Sequence, residues 1–173
     1  MSTRTLRRDH AALMAILDVG IRQAADPEVY PKSASSVSSW SVKDHLEHLS
    51  IANEGAVDWV HRVCDGEEGD GPGGHPTLLG RIVMLAGDFP RGRGKAPERT
   101  VPKDTDPEEL VARSRRVRER TGALQAALER VGASRATRNH FAFGDLNPAQ
   151  WVRFTLIHNR HHQKIIQDIL RAS

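Results

Sequence analysis

Cysteine is almost missing from this chain. Cys64 is the only one in 173 residues. That excludes a disulfide framework and any multi-cysteine zinc site, and it suits a reducing compartment. Aromatic residues are scarce too, at 5%. Leu, Ile, Val and Ala must therefore fill the core, a composition that favours helices over sheet. The longest apolar run is Ala11 to Leu17, far short of the roughly 20 residues that span a bilayer. The opening Met1-Ser2-Thr3-Arg4-Thr5-Leu6-Arg7-Arg8 leads into no apolar signal core. No membrane association is expected, and the expected location is cytoplasmic. Nor is there a strong excess of one charge: 25 Lys and Arg face 22 Asp and Glu. The densest basic cluster is Arg113, Arg115, Arg116, Arg118 and Arg120. It spreads around a helix instead of forming a stripe, and Glu109 stands four residues before Arg113. No nucleic-acid partner is expected.

What is present is helical periodicity. The length fits a single domain over 1–173. The spacing predicts a first helix over about Thr5 to Ala25, with Leu6, His10, Leu13, Leu17, Ile21 and Ala24 on one stripe. A second helix is predicted over Val42 to Cys64. Ser41 is its N-cap and Asp44 stands three residues on, as in a capping box. A long connection, Asp65 to Asp106, follows; its middle, Thr77 to Ala86, is predicted as a short crossing helix. Phe89 to Pro97 has no period. Irregular connections of this length are often site walls or lids. A third helix is predicted over Pro107 to Val131 without a break, capped by Asp106 with Pro at its first position. A fourth is predicted over Pro148 to Leu170, capped by Asn147. The fold expected is all-α, a four-helix bundle with a long crossover between helices two and three.

The stripe of the last helix reads Trp151, Thr155, His158, His162, Ile165, Ile169. Two histidines stand where the other helices place apolar residues. Four residues apart, they lie about 40° apart around the helix and about 6 Å along it, so both rings can reach one ion. A third ligand must come from another helix. His48, mid-core on helix two, is the natural candidate. Each ring taken alone also fits a hydrogen-bonded structural histidine, because a buried imidazole needs a partner of some kind. The chain has nine histidines, so the pair can arise by chance; the triple in two helix cores favours the metal.

Trp40-Ser41-Val42-Lys43-Asp44-His45-Leu46-Glu47-His48-Leu49 resembles the signature of the DinB superfamily, in which a histidine ligand follows a Trp-Ser opening. Asn147-Pro148 leading to His158-Asn159-Arg160-His161-His162 resembles its second half, an H-x-x-x-H on the last helix. His140 and Phe143-Gly144 resemble an H-P-x-F-G approach of one branch, although Phe141 replaces the proline. The resemblance implies a bundle, frequently a homodimer, with nickel, zinc or iron held by His48, His158 and His162 and with open coordination positions. It further implies a small-molecule substrate, either a low-molecular-weight thiol that is transferred or a bond that is hydrolysed.

Such a site is the layout of a catalytic metal, able to activate water or bind a thiolate. Asp44 and Glu47 are candidates for acid–base or supporting roles beside the ligands; for Asp44 the helix-cap reading stands equally. Glu54, Tyr30 and Thr155 are weaker candidates. His45, His61, His10 and His75 rank below the three chosen, and His161 points about 100° away from His162. Cys64, at a helix C-terminus, is expected to be inert. Three readings follow: a metal-dependent thiol S-transferase or hydrolase, a non-catalytic metal- or ligand-binding stress-response protein, or a bundle whose histidines are merely hydrogen-bonded.

Overall fold

Four long helices arise where capping and periodicity agree. In the computed structural model, which describes residues 2–68, 73–89 and 96–173, α1 spans Thr3–Ala25 and starts on Ser2, whose hydroxyl accepts from Thr5 N–H. Helix α2 spans Val42–Cys64, and Ser41 and Asp44 form the reciprocal capping box. After a short helix, α3 (Leu78–Ala86), the third long helix is α4 (Pro107–Ala123). A further short one, α5 (Leu128–Ala133), precedes a hairpin of β1 (Arg138–His140) and β2 (Gly144–Leu146). The chain closes with α6, Pro148–Ala172, started by an Asn147–Gln150 capping box. Each of α1 and α2 packs against both α4 and α6, so α1 and α2 sit on one diagonal of the bundle. Leu6, Leu13, Val57, Val60, Val117, Leu124, Leu128, Leu156 and Ile157 fill the main core, and Ala24, Val42, Leu46, Leu110, Ile166 and Ile169 close the other end. No helix among the described residues is long and apolar enough to cross a membrane.

The expected unbroken helix over 107–131 is corrected. It ends at Ala123, passes through a 3₁₀ turn at Leu124–Ala127 and resumes as α5. An α-helix would use the carbonyls of Arg120 and Thr121 for the amides of residues 124 and 125. His61 Nε2 donates to the first at 2.8 Å and His10 Nε2 to the second at 2.8 Å. Leu124 N–H turns instead to Thr121 and Gly122. Rings from two other helices thus compete for the ladder, and the tighter turn results.

The crossing helix forms nearly where predicted. Arg153 of α6 donates to the Met84 carbonyl at 2.7 Å and to buried Asp9 of α1 at 2.8 Å, which pins α3 across the bundle. Thr77 N–H donates to the Phe143 carbonyl at 2.8 Å, joining the start of α3 to the hairpin. Gly144 has φ +75°, and a Cβ there would come 2.8 Å from the His75 carbonyl and 2.9 Å from Thr77 N; only glycine fits. The aperiodic stretch Phe89 to Pro97 lies mostly outside the described residues.

Candidate metal centre

Three histidines converge between α2 and α6. His48 Nε2 lies 3.1 Å from His158 Nε2, and His162 Nε2 lies 3.1 Å from the same atom. Their ligand atoms all fall within 4.8 Å of one another. His48 and His162 are buried and His158 is partly exposed.

The second nitrogen of each ring decides what the first can do. His48 Nδ1 lies 2.8 Å from the Thr100 carbonyl. A carbonyl only accepts, so Nδ1 carries the proton and Nε2 presents a lone pair. His162 Nδ1 shares a hydrogen bond of 2.9 Å with His45 Nδ1, and His45 Nε2 lies 3.1 Å from Ser38 Oγ. His158 Nδ1 is shut off from solvent and has no partner among the described residues. Burial lowers the pKa of all three rings, with neighbouring imidazoles adding to the effect at His158 and His162. Neutral imidazoles are the form that binds metal.

Hydrogen bonding among the rings serves this arrangement only by sharing one proton of His158 Nε2 between two nitrogens. His158 Nε2 has either one proton or one lone pair in its ring plane, yet two nitrogens approach it at 3.1 Å. An ion at the point of convergence removes the conflict. Zn–N bonds of about 2.0–2.1 Å in a tetrahedron place ligand nitrogens about 3.3 Å apart, close to the 3.1 Å that separates His158 Nε2 from each of the other two. The donor set therefore fits a divalent ion. Trp40 walls one side, 5.1 Å from the His48 ring and stacked on His162 at 6.4 Å. Phe154 stacks on His158 at 5.5 Å, and Phe89 meets that ring edge-on at 6.0 Å.

The structure sorts the remaining candidates. Asp44 is spent on Ser41, taking its N–H at 2.9 Å and its hydroxyl at 2.8 Å. Glu47 is fully buried and its carboxylate takes Lys103 N–H at 2.9 Å, Thr105 N–H at 3.2 Å and the Thr105 hydroxyl. No carboxylate among the described residues hydrogen-bonds a ring of the triad. Glu47 acts from a distance, by holding the segment whose Thr100 orients His48. Burial pushes the Cys64 thiol up, away from thiolate chemistry. His161 packs against Phe89 at 5.4 Å. His45, ranked below the three ligands, is not among the converging rings but bonds one of them, His162, from one turn before His48. Thr100 gave no signal, since a backbone carbonyl has no sequence signature.

His140 is buried beside this wall, 4.6 Å from the rings of both Phe143 and Phe154, and accepts Ala142 N–H on Nδ1. Burial, helped by the charge of Arg99, lowers its pKa from 6.5 to about 4. The folded value lies below the unfolded one, so this ring's contribution is whole above pH 6.5 and is lost as pH falls toward 4. In urea titrations, His140→Phe is expected to flatten the stability–pH slope in that window by about one proton, roughly 1.4 kcal/mol per pH unit. An unchanged slope refutes the assignment.

Fold and site together define a helical bundle with a three-histidine cluster able to hold an ion. The family model of the DinB superfamily matches residues 5–166, and the chain belongs to that superfamily. No curated protein and no solved structure matches it.

Proposed function

We propose that the protein is a metal-dependent enzyme acting on a small molecule, as a low-molecular-weight thiol S-transferase or a hydrolase. The observation that carries this reading is the convergence of His48, His158 and His162 on one point with no carboxylate among them. A bound divalent ion supplies Lewis acidity and lowers the pKa of a water or thiol at an open position. Three neutral ligands leave the ion's charge uncompensated, which favours an anionic fourth partner such as hydroxide or thiolate. His48 is held by Thr100 and His162 by His45, so two of the three rings are oriented in advance. Trp40, Phe89 and Phe154 keep the surroundings apolar, which strengthens electrostatic attraction at the centre.

Elemental analysis tests the reading. Purified protein is expected to carry about one nickel, zinc or iron ion per chain, and the His158→Ala, His162→Ala double variant none. Loaded protein is then assayed with thiol acceptors and with esters and amides. A wild type that stays metal-free after reconstitution at neutral pH removes the proposal.

A further inference from the structure

His45 is a histidine beyond the triad with both ring nitrogens engaged. Its Nδ1 lies 2.9 Å from His162 Nδ1 and its Nε2 lies 3.1 Å from Ser38 Oγ. The ring is 2% exposed and packs edge-on against Trp40 at 5.3 Å. Ser38 is fixed in turn: its N–H donates to the Ala34 carbonyl at 3.0 Å, and its Oγ accepts Trp40 N–H at 3.1 Å. A second layer of polar groups therefore runs outward from His162 through His45 to a partly exposed hydroxyl.

The chain of bonds has two possible directions. In one, Ser38 donates to His45 Nε2, His45 Nδ1–H donates to His162 Nδ1, and His162 carries its proton on Nε2, pointing at His158. In the other, His162 Nδ1–H donates to His45 Nδ1 and His45 Nε2–H donates to Ser38 Oγ. His162 Nε2 is then bare. Every ring is neutral in both directions, and each uses the same contacts. Only the second leaves His162 able to act as a ligand.

We propose that His45 is a positioning residue that sets the tautomer of His162, accepting its Nδ1 proton and passing the bond to Ser38, so that His162 Nε2 is free to ligate. This rests on the metal reading above. A neutral imidazole takes the place that a carboxylate or carbonyl commonly fills behind a ligating histidine, so the centre gains orientation without gaining negative charge.

The test uses the full chain loaded with zinc, and long-range proton–nitrogen NMR of its histidine rings. The expected pattern is a proton on Nδ1 of His48 and His162 and on Nε2 of His45. A His45 that carries its proton on Nδ1 in loaded protein overturns the proposal. By competition with a chelator, His45→Phe is expected to weaken zinc binding by about 10- to 100-fold, with its helical circular dichroism unchanged. His45→Gln, whose amide oxygen accepts the same proton, recovers most of that loss. Wild-type affinity in His45→Phe overturns the proposal. Should that variant not fold, Ser38→Ala serves: its His45 and His162 nitrogen signals are expected to shift, and unchanged signals count against the chain. If wild type binds zinc and His45→Phe binds it equally, only this inference falls. If wild type binds none, the metal reading falls and takes this inference with it.

Discussion

Replacing Glu47 with alanine is expected to cost about 3 kcal/mol of stability and to weaken metal binding at the same time. The carboxylate is fully buried in α2 and satisfies two backbone N–H groups and one hydroxyl of residues 103–105. Hydrogen bonds to a charged acceptor contribute about 1.5–3 kcal/mol each. Lys103 is exposed and Thr105 partly so, so water replaces some of them in the variant. The functional effect follows from chain continuity. Thr100, bonded to Pro97 through its own N–H at 2.8 Å, holds His48 through its carbonyl. Once residues 103–105 detach from α2, that carbonyl loses its fixed place and His48 its orientation. Urea denaturation and zinc competition measure the two effects. A variant that unfolds more readily yet binds zinc as wild type does would separate Glu47 from the site.

The second large effect is stabilisation by metal. An ion that binds only the folded chain adds about 4 kcal/mol when present at a thousand times its Kd. Wild type is expected to show this gain in zinc, and the His158→Ala, His162→Ala double variant none. The gain should hold as pH falls through 6.5 and shrink only well below it, because burial lowers the pKa of all three rings and protons compete for their nitrogens only there. An equal response in both proteins would place the ion elsewhere.

The long helices were legible because their signals are local. Ser41 with Asp44, and Asn147 with Gln150, are read within four residues, and α2 and α6 begin where those signals place them. His158 and His162 were legible as a pair because helical spacing alone puts them on one face. The break at Leu124 was hidden for the opposite reason: its cause is two rings, His10 and His61, arriving from other helices. The hairpin was missed because its strands have three residues each and depend on a glycine at positive φ pressed against His75 and Thr77. Glu47 was singled out for closeness to His48 in sequence, whereas its work is done on a segment more than fifty residues away. A functional pair on one helix leaves a trace in spacing; support from across the fold does not.

The indole of Trp40 gives the centre an optical voice. The chain has three tryptophans. Trp59 and Trp151 pair 6.1 Å apart, both buried, while Trp40 stands partly exposed over the His48 ring. An open-shell ion such as nickel or iron, held beside an excited indole, drains its emission. Loading would then dim the longer-wavelength, solvent-touched part of the spectrum and leave the buried pair shining, so that occupancy can be followed in unlabelled protein.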